Sequence, residues 1–263
     1  MTSDRNALRT FFGVIALLFA ASSAMTILWC ISMSAMKEMP MPGGWSMSMT
    51  WMPMSGRPLF DATASFLAMW DVMMLAMMLP CLVPMLLRYR KAVQETSAGR
   101  LGWLTALAGL GYFLVWTIVG LAVFPLGVAL NAILMQHQEL SVIVPVAIGI
   151  VVLTVGLLQL TDWKLHQLAC CRELPFLGQT APDDASTAWK HGLHLGILCS
   201  RCSAGLMSVL LVMGMMNLFG MAIVTATIIF ERLAPASKWV TRTIGTIGIG
   251  AGFFLIARAV GIL

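Results

Sequence analysis

Apolar residues run along this chain in blocks about as long as a bilayer is thick, and polar residues are confined to the joints between them. The first block covers Phe11 to Ser32, preceded by Arg5 and Arg9. A second runs from Ala64 to Leu87 and a third from Leu101 to Leu130, interrupted by Pro125. A fourth covers Val142 to Leu160, and the last Ile244 to Leu263. The stretch from Leu193 to Phe230 is too long for one crossing, which takes about 20 residues. It fits two short helices turning near Gly214 to Asn217. The pattern predicts an all-α polytopic transmembrane helix bundle of about seven spans, with residues 1–263 forming a single transmembrane domain.

Ser22 to Ala24 resemble a signal-peptidase site, so a cleaved leader is the alternative to a retained first helix. The length of the run and Trp29 at its end favour retention.

Composition supports the membrane reading. Hydrophobic residues make up 59% of the chain and charged residues 10%, against roughly 25% charged in soluble domains. In lipid, helices satisfy their own backbone polar groups and apolar side chains face their natural solvent. The net charge of +5 does not point to nucleic acid, because the cations are scattered through short loops. Lys and Arg concentrate at the N-terminus and after spans two, four and six, which predicts a cytoplasmic N-terminus and an exterior C-terminus. On that orientation most of the six cysteines lie towards the cytoplasm, where thiols stay reduced. Metal binding, redox work or inert burial are then better readings than structural disulfides.

Methionine carries the strongest chemical signal, 22 residues in 263. Met33, Met36, Met39, Met41, Met47, Met49, Met52 and Met54 crowd a polar exterior loop at about 34–57. Soft thioether ligands select Cu(I), so the loop reads as a copper-capture segment. The same residues, with Trp45 and Trp51, also fit an amphipathic interfacial hairpin.

Inside span two, Met69, Met73 and Met77 share one helix face, and Met74 and Met78 form a second ridge beside Asp71. Methionine also fills space in cores, but a carboxylate within a span is expensive and usually functional. Span five opens with His191, His194, Cys199 and Cys202, which fit an arc of about 140°. More than two turns separate His191 from Cys199, so the workable pairs are His191 with His194 and Cys199 with Cys202. Met213, Met216 and Asn217 share a face near the turn of the hairpin, joined by Met221 if the helix continues. Lys164, His166, Cys170, Cys171 and Arg172 form a basic, thiol-bearing helix end, read first as an interfacial anchor.

The segment Met69-Trp70-Asp71-Val72-Met73-Met74-Leu75-Ala76-Met77-Met78-Leu79-Pro80 resembles the M-W-x-V-M-x-x-A-M-M-x-P signature of DUF2182, a family of bacterial membrane proteins of unknown function. His191 through Cys199, Cys202 and Met207 to Gly214, Met216, Asn217, Met221 and Glu231-Arg232 resembles its second signature. Lys164 and Cys171-Arg172 resemble its K…C-R-x-P element. The likeness spans about residues 60 to 232. The family's C-x-G-C-C stands here as Cys199-Ser200-Arg201-Cys202-Ser203, and a cysteine expected near Gln167 is missing. The resemblance implies a metal-binding protein of the bacterial inner membrane.

Three functions fit these residues. The first is copper handling, meaning Cu(I) binding, transport or delivery, with copper or another transition metal held by Met69, Asp71, Met73, Met74, Met77, Met78, His191, His194, Cys199, Cys202, Met213, Met216, Asn217 and Met221. The second is a metal-dependent membrane oxidoreductase or a subunit of one. The third is a structural or assembly subunit whose methionines only pack. The expected partners are the lipid bilayer and a periplasmic metal-binding protein or other membrane subunits, with no nucleic acid.

Overall fold

The computed structural model describes residues 2–35, 39–41, 45–47, 59–93, 97–172, 184–215, 217–234 and 237–261. Nearly all of them are helical. Helices α1 (Thr2–Ala35), α2 (Leu59–Ala92) and α3 (Ala98–Gln136) come first, with a short antiparallel hairpin of β1 (Met39–Met41) and β2 (Trp45–Met47) between α1 and α2. The hairpin pairs Met39 with Met47 and Met41 with Trp45; the rest of the methionine-rich loop lies outside the described residues. After α3 come α4 (Gln138–Ser141), α5 (Val144–Gln159), α6 (Asp162–Arg172), α7 (Ala185–Met213), α8 (Leu218–Leu233) and α9 (Ser237–Ala259).

Among the described residues, α1, α2, α3, α7 and α9 are long and apolar enough to cross a membrane. The pair α5 and α6, bent by 71°, becomes a sixth span if it is taken as one broken helix. The fold is thus an all-helical bundle with five to six long apolar helices. The 16 residues of α8 reach about 24 Å, short of a hydrocarbon core about 30 Å thick. The break between α7 and α8 falls at Gly214, whose φ of 105° suits a residue without Cβ. Asn217 then caps α8, its side chain accepting the Gly220 N–H at 3.0 Å.

Two helix pairs set the frame by close backbone approach. In the parallel α3–α7 pair, an added methyl on Gly111 would lie 2.8 Å from the Trp189 carbonyl oxygen, and one on Gly196 2.9 Å from that of Tyr112. In the antiparallel α5–α9 pair, Gly149 and Gly156 face Gly245, Gly248 and Gly252. Small residues are what let helices meet this closely in lipid. Larger side chains fill the space between α2, α3, α7 and α8. Trp70, Trp116, Tyr89, Tyr112, Met74 and Met78 are all under 2% exposed, and Gly120 leaves room for the Trp70 indole.

Helix α2 carries Pro80 and Pro84 in its interior, where each lacks the N–H that would bond the carbonyl four residues back. Helix α1 is held loosely, with Leu17 and Leu28 more than 60% exposed. Its Phe11 ring sits 4.8 Å from the Arg90 guanidinium carbon of α2. Outward-facing leucine, isoleucine and phenylalanine along α1, α3 and α9 are compatible with a lipid-facing surface.

Candidate metal centre

Two contacts fix α2 antiparallel to α7. The rings of Tyr89 and His191 stack at 5.0 Å between centroids, and the Cys199 thiol lies 3.9 Å from the Met78 sulfur. From α3, the Tyr112 hydroxyl meets the Cys199 sulfur at 2.8 Å. Cys199, Met74, Met78 and Tyr112 have no measurable exposure. Three helices therefore place a thiol, a thioether and a phenol together in a dry interior. Met69, Met73, Met77, Met207, Met215 and Met221 belong to the same buried core.

Polar groups gather where α5, α6, α7 and α8 meet. Lys164 on α6 pairs with Glu231 on α8 at 2.9 Å and donates to the Cys202 carbonyl at 2.7 Å. Gln159, at the end of α5, donates to the other Glu231 oxygen. The Cys171 thiol donates to the Leu198 carbonyl at 3.1 Å, and Arg232 approaches the Cys171 sulfur at 3.8 Å. Cys81 of α2 is buried in the same core as Cys199. This arrangement sets buried thiols beside the Arg232 guanidinium, and soft sulfur is the kind of ligand that Cu(I) takes.

The residues singled out in the sequence meet different fates. Met69, Met73, Met74, Met77, Met78, His191, Cys199, Cys202 and Met221 are buried in the bundle. His194, three residues from His191, is exposed. Asp71 is half-buried and its carboxylate accepts from the Thr117 hydroxyl of α3 at 3.0 Å. Met213 is 48% exposed, Asn217 is exposed and spent on the α8 cap, and Met216 lies outside the described residues. No hydrogen bond joins Asp71 to Asn217. Among the described residues no three of His, Cys, Asp and Glu gather as a metal site. An ion held by the described residues alone takes at most two such ligands or relies on thioether sulfur.

A family model described as a copper chaperone, PpoB2, matches residues 67–255, more than two thirds of the chain. The chain belongs to this copper chaperone family. The match takes in the α2 methionine ridge, Tyr112 and both cysteines of α7, so the Met78–Cys199 contact lies within the matched part, while the buried Cys30 lies outside it. No curated protein and no solved structure matches the chain.

Sequence reasoning passed over Tyr112, Thr117 and the Lys164–Glu231 pair. One signal was available: the chain has only two tyrosines, and a hydroxyl inside a span needs a partner. Both tyrosines prove buried, and both touch α7.

Proposed function

We propose that the protein is a Cu(I)-delivery protein of the bacterial inner membrane, with the DUF2182 likeness and the copper chaperone match describing the same segment. Its N-terminus faces the cytoplasm and its C-terminus the exterior, with α8 and the α5–α6 pair completing seven crossings. The methionine-rich loop at 34–57 captures the ion outside, and the buried sulfur of α2 and α7 holds it within the bundle. A periplasmic metal-binding protein or another membrane subunit is the other party to the exchange.

The observation that carries this reading is the Cys199–Met78 contact at 3.9 Å among fully buried methionines. Packing alone explains a methionine in a core, but it gives no reason to set a thiol against a thioether. A soft ion gains from both sulfurs and from exclusion of water.

The test is anaerobic titration of the purified chain with Cu(I) against a chromophoric Cu(I) chelator. Cys199→Ala and Met78→Leu are expected to lower affinity at the buried site about 100-fold, near 2.7 kcal/mol. Leucine at the seven loop positions from Met36 to Met54 should slow loading and leave insertion unchanged. Equal copper affinity and stoichiometry in every variant would make the methionines packing residues of a structural subunit.

A further inference from the structure

A second sulfur pair lies apart from the Met78–Cys199 contact. Cys171 of α6 and Cys202 of α7 pack together with Leu168 in one small buried cluster. They are 4% and 3% exposed. Cys170, the next residue, is only half-buried and turns to His166 at 3.7 Å.

Among the described residues the charges around this pair do not balance. Lys164 and Glu231 neutralise one another at 2.9 Å. Arg232 is 8% exposed, and among the described residues no carboxylate lies in ion-pair contact with it. Among the described residues its Nε and Nη1 have no hydrogen-bond partner. Its Nη2 lies 3.8 Å from the Cys171 sulfur. A buried cation is costly unless an anion accompanies it, and the Cys171 thiol beside the guanidinium is a group able to become anionic.

We propose that Cys171 and Cys202 bind one Cu(I) as a two-coordinate bis-thiolate whose negative charge is neutralised by Arg232. This rests on the copper-delivery reading for the identity of the ion and adds a second station between α6 and α7. One S–Cu bond forms to each sulfur, both thiol protons leave, and no electron moves. The charge of [Cu(S)2]− cancels that of Arg232, which in the empty site has no carboxylate in ion-pair contact among the described residues. Zinc is the poorer fit, since it takes four ligands and no third His, Cys, Asp or Glu joins the pair among the described residues. Two thiolates suffice for a soft monovalent ion.

The experiment loads the full purified chain anaerobically with Cu(I) as its acetonitrile complex. It reads stoichiometry by chelator competition and coordination by X-ray absorption. Cys171→Ser and Cys202→Ser should each lose one copper equivalent and the two-coordinate sulfur signature. Cys170→Ser should lose neither. Arg232→Lys should bind nearly as the wild type does, and Arg232→Met about 10- to 100-fold more weakly, the range seen for groups that support metal ligands. Should the serine variants misfold, the wild type answers directly, because Cu(I) must protect Cys171 and Cys202 from alkylation as read by peptide mass spectrometry. If Cys199→Ala removes all bound copper while Cys171→Ser removes none, this second site is overturned and the Met78–Cys199 reading stands. A wild-type chain that binds no Cu(I) overturns both. A Cys171–Cys202 disulfide in protein kept from oxidants also overturns the site.

Discussion

The α5–α9 pair and the α2–α7 interior are both tightly packed, by opposite means. Between α5 and α9 backbone lies against backbone: a methyl on Gly156 would stand 2.7 Å from the Ile249 nitrogen, and one on Gly252 2.7 Å from that of Leu153. Between α2 and α7 the contact is made by rings and sulfur, with Tyr89 on His191 and Met78 on Cys199. The first pair contains no cysteine or histidine. The second holds the buried thiol, thioether and imidazole together. The bundle thus divides its labour by residue size: glycine fixes how the helices stand, and large polarisable side chains supply the chemistry in the space left between them.

The comparison breaks most sharply at Glu231. Glu231→Gln leaves Lys164 as a second unneutralised cation in the interior. It is expected to destabilise the bundle by about 3–5 kcal/mol, measured by denaturant unfolding in detergent. The double variant Lys164→Met with Glu231→Leu should recover most of that loss; if it does not, the pair is not the source of the cost.

Next in size is Gly156→Val, which forces apart the α5 and α9 backbones at a cost of about 3 kcal/mol. Copper stoichiometry of the protein that still folds should be unchanged, because no proposed ligand lies on that pair. A parallel fall in copper would show that frame and site are not separable.

The smallest effect is expected of Asp71→Asn. The amide still accepts the Thr117 hydroxyl, so stability should stay within about 1 kcal/mol of wild type, or rise as a midspan charge is removed. Copper content should fall. Normal copper with reduced stability would make Asp71 a structural partner of Thr117 and nothing more.

Much of this frame was legible in the sequence, and the boundaries least so. Apolar blocks report where lipid begins, not where a helix ends, so α2 and α3 run several residues past the predicted spans at both ends. The turn near Gly214 was legible because a glycine followed by a helix-capping asparagine is a local signal. The same residue shows the limit of reading by face: Asn217 looked like a ligand at the right depth, and its side chain is committed to the cap. The bend of 71° between α5 and α6 has no proline or glycine to announce it. It is set by packing, and it brings Cys171 to Cys202. Cys199 and Met78 each read as soft donors, but 121 residues separate them, and no periodicity within one helix reports a contact made between two.

The prolines of α2 bear on this contact in mechanical terms. Pro80 and Pro84 leave the carbonyls of Ala76 and Pro80 without their usual rungs, and a helix short of two rungs flexes there more easily than an intact one. Met77, Met78 and Cys81 sit on that compliant stretch, while Cys199 sits on a partner stiffened against α3 by close backbone contact. The sulfur-to-sulfur spacing is therefore set by a soft spring facing a hard wall, and thermal bending of α2 modulates it without any hydrogen bond having to break.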